Sequence, residues 1–264
     1  MKKKEYSIKE LCDIKYKEKK LVVPLGYVGN KKCVYLDLKS MSGLFIAGAT
    51  GTGKSIFIDD IVVSLMYKNK PSEVKFIMLD PKKIELGEYD GINYLIGKRS
   101  HSTKESGYKF LIDILKLLEF RISILKRTNH RNINGFNRYE KDKWEHIFIV
   151  VDEGSSIIKM KDSFTVFSKI LDFGEIAGIH LIYATNSYLK DYANSNFLDK
   201  FNYRMTFDLA SIEQAELIDI KGSSWLKSEG VALIKTKDGN ICKFKAPFIQ
   251  DEEIEKIVSQ NKGE

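Results

Sequence analysis

The chain has 264 residues, of which 43% are hydrophobic and 30% are charged, and this composition predicts a globular protein with a sizeable core. The formal net charge of +7 suits a polyanionic partner or a membrane surface, but no apolar run is long enough to span a bilayer. The three cysteines are scattered and show no C-x-x-C spacing, which argues against a zinc site or a disulfide framework. We therefore expect a cytoplasmic protein with no transmembrane segment of its own.

The first 20 residues differ in composition from the rest of the chain. Residues 1–20 are rich in lysine and poor in apolar residues, so they predict a basic N-terminal arm that is mobile or loosely docked. Such an arm is either a solvated terminus or a functional tail. Residues 21–264 contain no linker and no internal repeat, and they predict one domain. It begins with two short apolar runs between Leu21 and Leu38, separated by a glycine-containing turn, which predict an N-terminal β-hairpin.

Residues 44–55, LFIAGATGTGKS, combine an apolar strand with the phosphate-binding pattern G-x-x-x-x-G-K-[ST]. Lys54 is expected to place its ammonium on the β- and γ-phosphates of a bound nucleotide, and Ser55 to offer its hydroxyl to Mg²⁺. The apolar helix predicted over Ile56–Tyr67 would point its positive N-terminal end at the phosphates. The alternative is a chance glycine turn. The residues predicted to bind the nucleotide are Gly48, Ala49, Thr50, Gly51, Thr52, Gly53, Lys54 and Ser55.

Strands and helices alternate after this loop, which predicts an α/β fold with a mostly parallel sheet covered by helices on both faces. Residues 127–143 interleave basic, amide and aromatic side chains, a mixture found in solvated loops and in nucleic-acid binding segments. The predicted strands are 74–80, 147–151, 179–184 and 203–209, followed by a hairpin of Val231–Lys235 and Ile241–Lys245. The predicted helices are 110–127, 162–173 and one that starts near Asp251.

Polar groups follow three of the predicted strands, and the carboxyl ends of parallel strands form ligand sites. These groups are Asp80, the pair Asp152 and Glu153, and the pair Thr185 and Asn186. Asp152 follows the run IFIVV and has the character of a Walker B carboxylate that holds Mg²⁺, while Glu153 is placed to accept a proton from the attacking water or to orient it. Asn186 is expected to bind the γ-phosphate or the attacking water. The alternative for Asp152 and Glu153 is an exposed acidic turn, and the alternative for Asn186 is a plain strand-end cap.

Several motifs occur in the order found in one known family. They are VPLG near residue 23, AGATGTGKS, LDPKKIEL, RNINGFN, IVVDE, AGIHLIYAT and FIQDEEIEKIV, and together they extend from residue 23 to residue 258. The chain thus resembles the motor domain of the FtsK/SpoIIIE family of hexameric DNA translocases. The resemblance implies a RecA-like P-loop NTPase core, a homo-oligomeric ring of six, ATP and Mg²⁺ as cofactors, and ATP-driven movement along double-stranded DNA.

The chain departs from the family pattern at several charged positions. Glu175 stands where the family usually has an arginine that reaches the ATP of the neighbouring subunit, so hydrolysis assisted by that route is in doubt. Arg204 matches another family arginine that could replace it as a catalytic group. Basic residues of the family's DNA-facing segments are replaced by Ser187, Ile212 and Glu216, which predicts fewer phosphate contacts with DNA.

Three functions follow from these expectations. The first is a ring motor that translocates double-stranded DNA in conjugative transfer or packaging, docked on a membrane-anchored or relaxase-type protein. The motor would be a compact relative from a mobile element or phage, because the sequence lacks the membrane region and winged helix of the full-length translocases. The second is an FtsK-like ATPase of a protein-secretion system. The third, motivated by Glu175, is a nucleotide-binding scaffold subunit with low turnover.

Overall fold

A nine-stranded sheet forms the centre of the fold. The computed structural model describes the chain except for residues 1–7, 15–17, 30–31, 82–84, 102, 161, 187–191, 193–195, 210, 227 and 264. The strands in the described residues are β1 (Val22–Val28), β2 (Lys32–Asp37), β3 (Gly43–Ala47), β4 (Val74–Leu79), β5 (His146–Val151), β6 (Ile179–Thr185), β7 (Tyr203–Thr206), β8 (Val231–Lys235) and β9 (Ile241–Lys245).

The sheet has a parallel half and an antiparallel half, in the order β2-β1-β9-β8-β7-β3-β6-β5-β4. Strands β7, β3, β6, β5 and β4 are parallel neighbours, and every residue of β3, β5 and β6 is buried. Their near-continuous apolar runs follow from this burial on both faces. The predicted parallel core and N-terminal hairpin are confirmed. The hairpin, however, lies at the far edge, because β7, β8 and β9 stand between it and β3.

Helices cover both faces of the sheet, and each face has its own hydrophobic core. Apolar side chains of α1, α2 and α8 belong to the core on one face, and those of α3, α5, α6 and α7 belong to the core on the other. The helices described are α1 (Ile8–Ile14), α2 (Lys54–Lys68), α3 (Lys104–Arg127), α4 (Ile133–Tyr139), α5 (Ser155–Ile158), α6 (Ser163–Ala177), α7 (Ile212–Ile218) and α8 (Asp251–Asn261). Short 3₁₀ turns lie at Leu38–Ser40, Leu86–Tyr89, Leu198–Lys200 and Ser223–Trp225.

Helix α3 begins six residues before the predicted Phe110 because of its cap. The Thr103 side chain accepts a hydrogen bond from the Ser106 backbone N–H (3.0 Å), and the Ser106 hydroxyl accepts one from the Thr103 N–H (3.3 Å). This reciprocal arrangement satisfies two of the donors that a helix N-terminus leaves without intrahelical partners. Polar residues before Phe110 therefore extend the helix without contributing to its apolar periodicity.

The N-terminal region differs from the expected mobile or loosely docked arm over residues 8–14. These residues form α1, in which Ile8, Leu11 and Cys12 are buried and which packs against α2 and β1. Residues 1–7 and 15–17 of the proposed arm lie outside the described residues. The division into an arm, 1–20, and a domain, 21–264, stays a prediction.

The segment 127–143 also contains more regular structure than expected. Asn132 caps α4, since its side-chain oxygen accepts from the backbone N–H groups of Asn134 and Gly135 (both 3.1 Å). Asn137 makes two hydrogen bonds with the backbone of Trp144, at 2.7 and 2.8 Å. The amide side chains of this segment thus hold a short helix in place, and the plain solvated loop is not observed.

Candidate functional site

The phosphate-loop pattern forms the connection between β3 and α2. Gly51 and Gly53 have φ angles of +77° and +104°, a region that residues with a Cβ rarely adopt. Gly48 has a different reason to be glycine, because a Cβ there would lie 2.9 Å from the Cβ of Phe207. Strand, loop and helix therefore have the arrangement that the sequence predicts for a phosphate-binding loop.

Hydrogen bonds across the loop hold its shape. The Thr52 hydroxyl and the Lys54 ammonium both donate to the Ala49 carbonyl, at 2.8 and 2.9 Å. The Ala49 N–H donates to the Asp208 carbonyl (2.8 Å), which joins the loop to the segment that follows β7. Lys54 is buried, so its charge lies within the loop and is held away from bulk solvent.

A cleft of about 410 Å³ opens beside this loop at the carboxyl ends of the parallel strands. It brings together Lys54, Ser55, Asp152, Glu153 and Asn186, which the sequence analysis selected from three separate segments. The complete described lining is Thr50, Gly51, Gly53, Lys54, Ser55, Ile56, Glu85, Asp152, Glu153, Asn186 and Glu229. A larger cavity of about 660 Å³ has a lining that includes Val22 and His146, at the amino-terminal ends of β1 and β5, and it includes none of the predicted site residues.

Glu153 is held in one position by three hydrogen bonds. Its carboxylate accepts from the hydroxyls of Ser155 (3.0 Å) and Thr185 (3.4 Å) and from the backbone N–H of Asn186 (3.3 Å). Its backbone has φ +52°, an uncommon value for a residue with a side chain. The next residue must be glycine, because a Cβ on Gly154 would lie 2.2 Å from the ring of Tyr183. Such fixed strain at a cleft is typical of functional sites.

Asn186 connects this carboxylate to the phosphate loop. Its side-chain amide donates to the Thr50 hydroxyl (3.2 Å), and its backbone N–H donates to Glu153. The predicted contact of Asn186 with a γ-phosphate or water stays a prediction.

Asp152 lies in a strongly acidic environment. Burial raises the pKa of this carboxyl to about 6, and the negative charges of Asp80, Glu85 and Glu153 add to the effect, while Lys54 opposes it. A carboxyl with a raised pKa is one whose charged form lacks compensation from the protein. A divalent cation in the cleft would provide that compensation.

The residues present fit Mg²⁺. Ser55 and Asp152 line the same cleft, and a hydroxyl and a carboxylate are oxygen donors of the kind that Mg²⁺ prefers. Within the described residues no group of three His, Cys, Asp or Glu side chains could hold a metal ion by itself. This agrees with the way Mg²⁺ is usually held, through one or two protein oxygens together with substrate phosphates and water.

Arg204 and Glu175 lie apart from the cleft. Arg204 is on β7, where its guanidinium donates to the Ile218 carbonyl (3.4 Å) and faces Asp199 (3.5 Å) and Asp219 (3.9 Å). Neither residue lines the cleft of its own chain, so a role for either one at a neighbouring subunit's nucleotide stays a prediction.

The outer face of the last turns of α6 carries Glu175. This side chain is exposed between two exposed apolar residues, Phe173 and Ile176. On α7, Ile212 and Glu216 are exposed one turn apart, while Ser187 lies outside the described residues.

Sequence reasoning missed Glu85 and Glu229 as residues of the cleft, and it assigned Asp80 no definite role. Glu85 had a signal, since it belongs to the LDPKKIEL segment, whereas Glu229 had none. Asp80 is buried, and its carboxylate accepts from the backbone N–H groups of Glu85 (3.0 Å) and Leu86 (3.1 Å). It therefore anchors the loop that presents Glu85.

The fold and the cleft together define a P-loop ATPase domain of the α/β class. The model of the FtsK/SpoIIIE family matches residues 12–193, and the chain belongs to that family. The chain is also 30% identical to the DNA translocase SpoIIIE of Bacillus subtilis, over 96% of this chain and 34% of that protein. It thus spans about a third of the length of the curated relatives it matches.

Solved structures share the fold at low sequence identity. The cytoplasmic domain of the type VII secretion ATPase EccC of Thermomonospora curvata superposes with a TM-score of 0.81 and 19% identity, over 99% of this chain and 35% of that one. The pCW3 conjugation coupling protein TcpA, solved with ATPγS, superposes with a TM-score of 0.80 and 17% identity, over 98% of this chain and 75% of that one. At these identities the likeness supports the fold alone. Among the described helices, none has the length and apolar character needed to cross a membrane.

Proposed function

We propose that this chain is the ATP-hydrolysing motor domain of a translocase that moves double-stranded DNA and works as a homo-oligomeric ring. The observation that carries the proposal is the fixed carboxylate of Glu153, which faces the same cleft as Lys54, Ser55 and Asp152. A scaffold that only bound nucleotide would have no need for a base fixed opposite the phosphate loop. The relatives named as DNA translocases support DNA as the substrate.

Each of the five predicted site residues that line the cleft has a role in this proposal. Lys54 leaves the Ala49 carbonyl and moves its ammonium to the β- and γ-phosphates. Ser55 and Asp152 would hold Mg²⁺, which when bound stabilises the charge on the phosphoryl oxygens. Glu153 accepts a proton from the attacking water, and its three hydrogen bonds keep it oriented before ATP binds. Asn186 hydrogen-bonds both Thr50 in the phosphate loop and Glu153, so in this proposal it couples the loss of the γ-phosphate to the position of Glu153.

A ring would complete this site from a neighbouring subunit. The apolar side chains of Phe173 and Ile176 are 48% and 40% exposed at the end of α6, and in this proposal they belong to the surface that a neighbouring subunit contacts. Glu175 lies between them, so a neighbour that docks here meets a carboxylate. In this arrangement Arg204 would have to exchange its bonds to Asp199 and Asp219 before it served a neighbour's nucleotide. A membrane-anchored or relaxase-type protein is the proposed docking partner of the ring.

The proposal is tested by ATP hydrolysis with and without linear duplex DNA, measured across protein concentration. We expect turnover to rise with DNA and with concentration. Glu153→Gln is the matched control, because it keeps the shape of the side chain but cannot take a proton. DNA-independent turnover in the parent protein would contradict the DNA substrate, and equal turnover in Glu153→Gln would contradict the assignment of the base.

A protein-secretion ATPase is the second candidate. The observation that favours it is the exposed face of α7, where Ile212 and Glu216 replace the positive charges that phosphate contacts would use. For this function the same assay gives basal hydrolysis that duplex DNA leaves unchanged. Absence of both basal and stimulated hydrolysis would instead support the low-turnover scaffold that Glu175 suggested.

A further inference from the structure

The main chain at Glu85 is anchored unusually well for a residue in a loop. The Asp80 carboxylate binds the N–H groups of both Glu85 and Leu86, and Asp80 is itself 1% exposed. Leu86 is buried in the hydrophobic core to which α2 also contributes, so the chain is fixed immediately after Glu85 as well. The main chain of Glu85 is thereby fixed beside the cleft, and the residue forms part of the wall of the cleft.

Negative side chains outnumber positive ones in the described lining of the cleft. Glu85, Asp152, Glu153 and Glu229 are carboxylates, and Lys54 is the cation that opposes them. Asp152 and Glu153 already have roles as metal ligand and base, and Glu229 is exposed. Glu85 is partly buried and lies close enough to Asp152 to contribute to the raised pKa of that carboxyl. None of the roles proposed for the cleft so far uses the charge of Glu85.

The charge of the bound nucleotide decides how strongly the Glu85 carboxylate opposes binding. The repulsion between a fixed negative charge and a nucleotide is proportional to the nucleotide's charge, and a bound Mg²⁺ removes two negative charges from a triphosphate. We propose that Glu85 makes the cleft discriminate against metal-free nucleotide, so that the site accepts the metal complex of ATP and rejects free ATP. This inference rests on the proposed nucleotide function of the cleft and names a residue that sets its specificity.

The test compares two dissociation constants for ATP, one with Mg²⁺ and one with EDTA, by isothermal titration calorimetry. The parent protein is expected to bind far more weakly in EDTA. In Glu85→Gln the ratio of the two constants is expected to fall about tenfold, equal to about 1.4 kcal/mol. The glutamine keeps its backbone bonds to Asp80, so the loop stays in place.

Glu88→Gln is the matched control, because it makes the same chemical change three residues further on, outside the lining of the cleft. Partial desolvation of its carboxyl and the negative charges of Asp251, Glu85 and Glu255 raise the pKa of Glu88 to about 7. All titrations are therefore made at about pH 8.5, so that the control also removes a charge. We expect Glu88→Gln to leave the ratio of the parent unchanged.

Two results would overturn the inference. One is a ratio in Glu85→Gln within about twofold of the parent, and the other is an equal fall in Glu88→Gln. Both are distinct from failure of the proposed function, in which the parent protein binds ATP under neither condition. Urea unfolding of all three proteins identifies a variant that has lost its fold.

Discussion

A buried carboxyl on α2 makes the stability of this fold depend on pH. Asp60 is fully buried, and neither of its side-chain oxygens has a hydrogen-bond partner in the described structure. Burial raises the pKa of Asp60 well above its usual value, and the nearby charges of Asp59 and Glu253 add to the effect. We predict that Asp60→Asn stabilises the protein at neutral pH and loses this advantage in acid.

The size of the effect follows from proton linkage. In the unfolded chain Asp60 has a pKa of about 3.9, and in the folded protein its pKa is higher, so between the two values the folded state holds one more proton. The unfolding free energy of the parent therefore falls as the pH rises from about 4, by at most about 1.4 kcal/mol per pH unit, until the folded pKa is reached. Asparagine does not titrate, so the variant lacks this contribution.

Urea unfolding at about pH 5 and at about pH 7.5 measures the difference. From the slope above, the gain of Asp60→Asn over the parent should be up to about 3 kcal/mol larger at the higher pH. Asp238→Asn is the control, because it makes the same chemical change at an exposed position in the turn between β8 and β9. If the unfolding free energies of the parent and of Asp60→Asn depend on pH in the same way, the pKa of Asp60 is the same in the folded and unfolded states, and the prediction is refuted.

Three further predictions concern hydrolysis. Lys54→Ala should abolish ATP binding or turnover with the fold intact, because Lys54 is the cation in the described lining of the cleft. Calorimetry with ATP and Mg²⁺ tests this, and unchanged affinity together with unchanged turnover would refute it. Glu153→Gln should bind ATP normally and hydrolyse it about 10²–10⁴-fold more slowly in steady-state assays, and a rate within about threefold of the parent would place the base elsewhere. Glu175→Arg should raise concentration-dependent turnover at least several-fold above Glu175→Ala, within the roughly 10³–10⁵-fold reported for such arginines. A flat response to both substitutions, with unchanged assembly mass, would make Glu175 an ordinary surface residue.

The strands of the parallel core were predictable because their sequences are continuous apolar runs. Strands β3, β5 and β6 are buried on both faces, and such burial requires continuous apolar runs. The convergence of Asp152, Glu153 and Asn186 was predictable for a related reason. Carboxyl ends of neighbouring parallel strands meet at one edge whatever the intervening helices contain.

Short helices were not predictable by the same means. In α1 the three buried residues Ile8, Leu11 and Cys12 are matched by an equal number of charged residues, and α7 has only seven residues. One or two turns present too few apolar positions for a periodic pattern to stand out. Glu229 could not be found either, since it reaches the cleft through contacts distant in sequence, among them the bond from the Gly230 N–H to the Thr52 carbonyl (3.2 Å).

The strand order constrains how the chain can fold during synthesis. The hairpin β1–β2 is made before the other strands of this sheet, but in the described sheet it pairs with the rest only through β9, the last of these strands to be made. A nascent chain that has reached residue 230 can form the parallel strands while its hairpin still lacks a partner strand, with the edge of β7 open. Such late, long-range closure is slow and leaves strand edges exposed to other chains. We therefore expect chaperone dependence and aggregation to concentrate in the interval before the last two strands emerge from the ribosome.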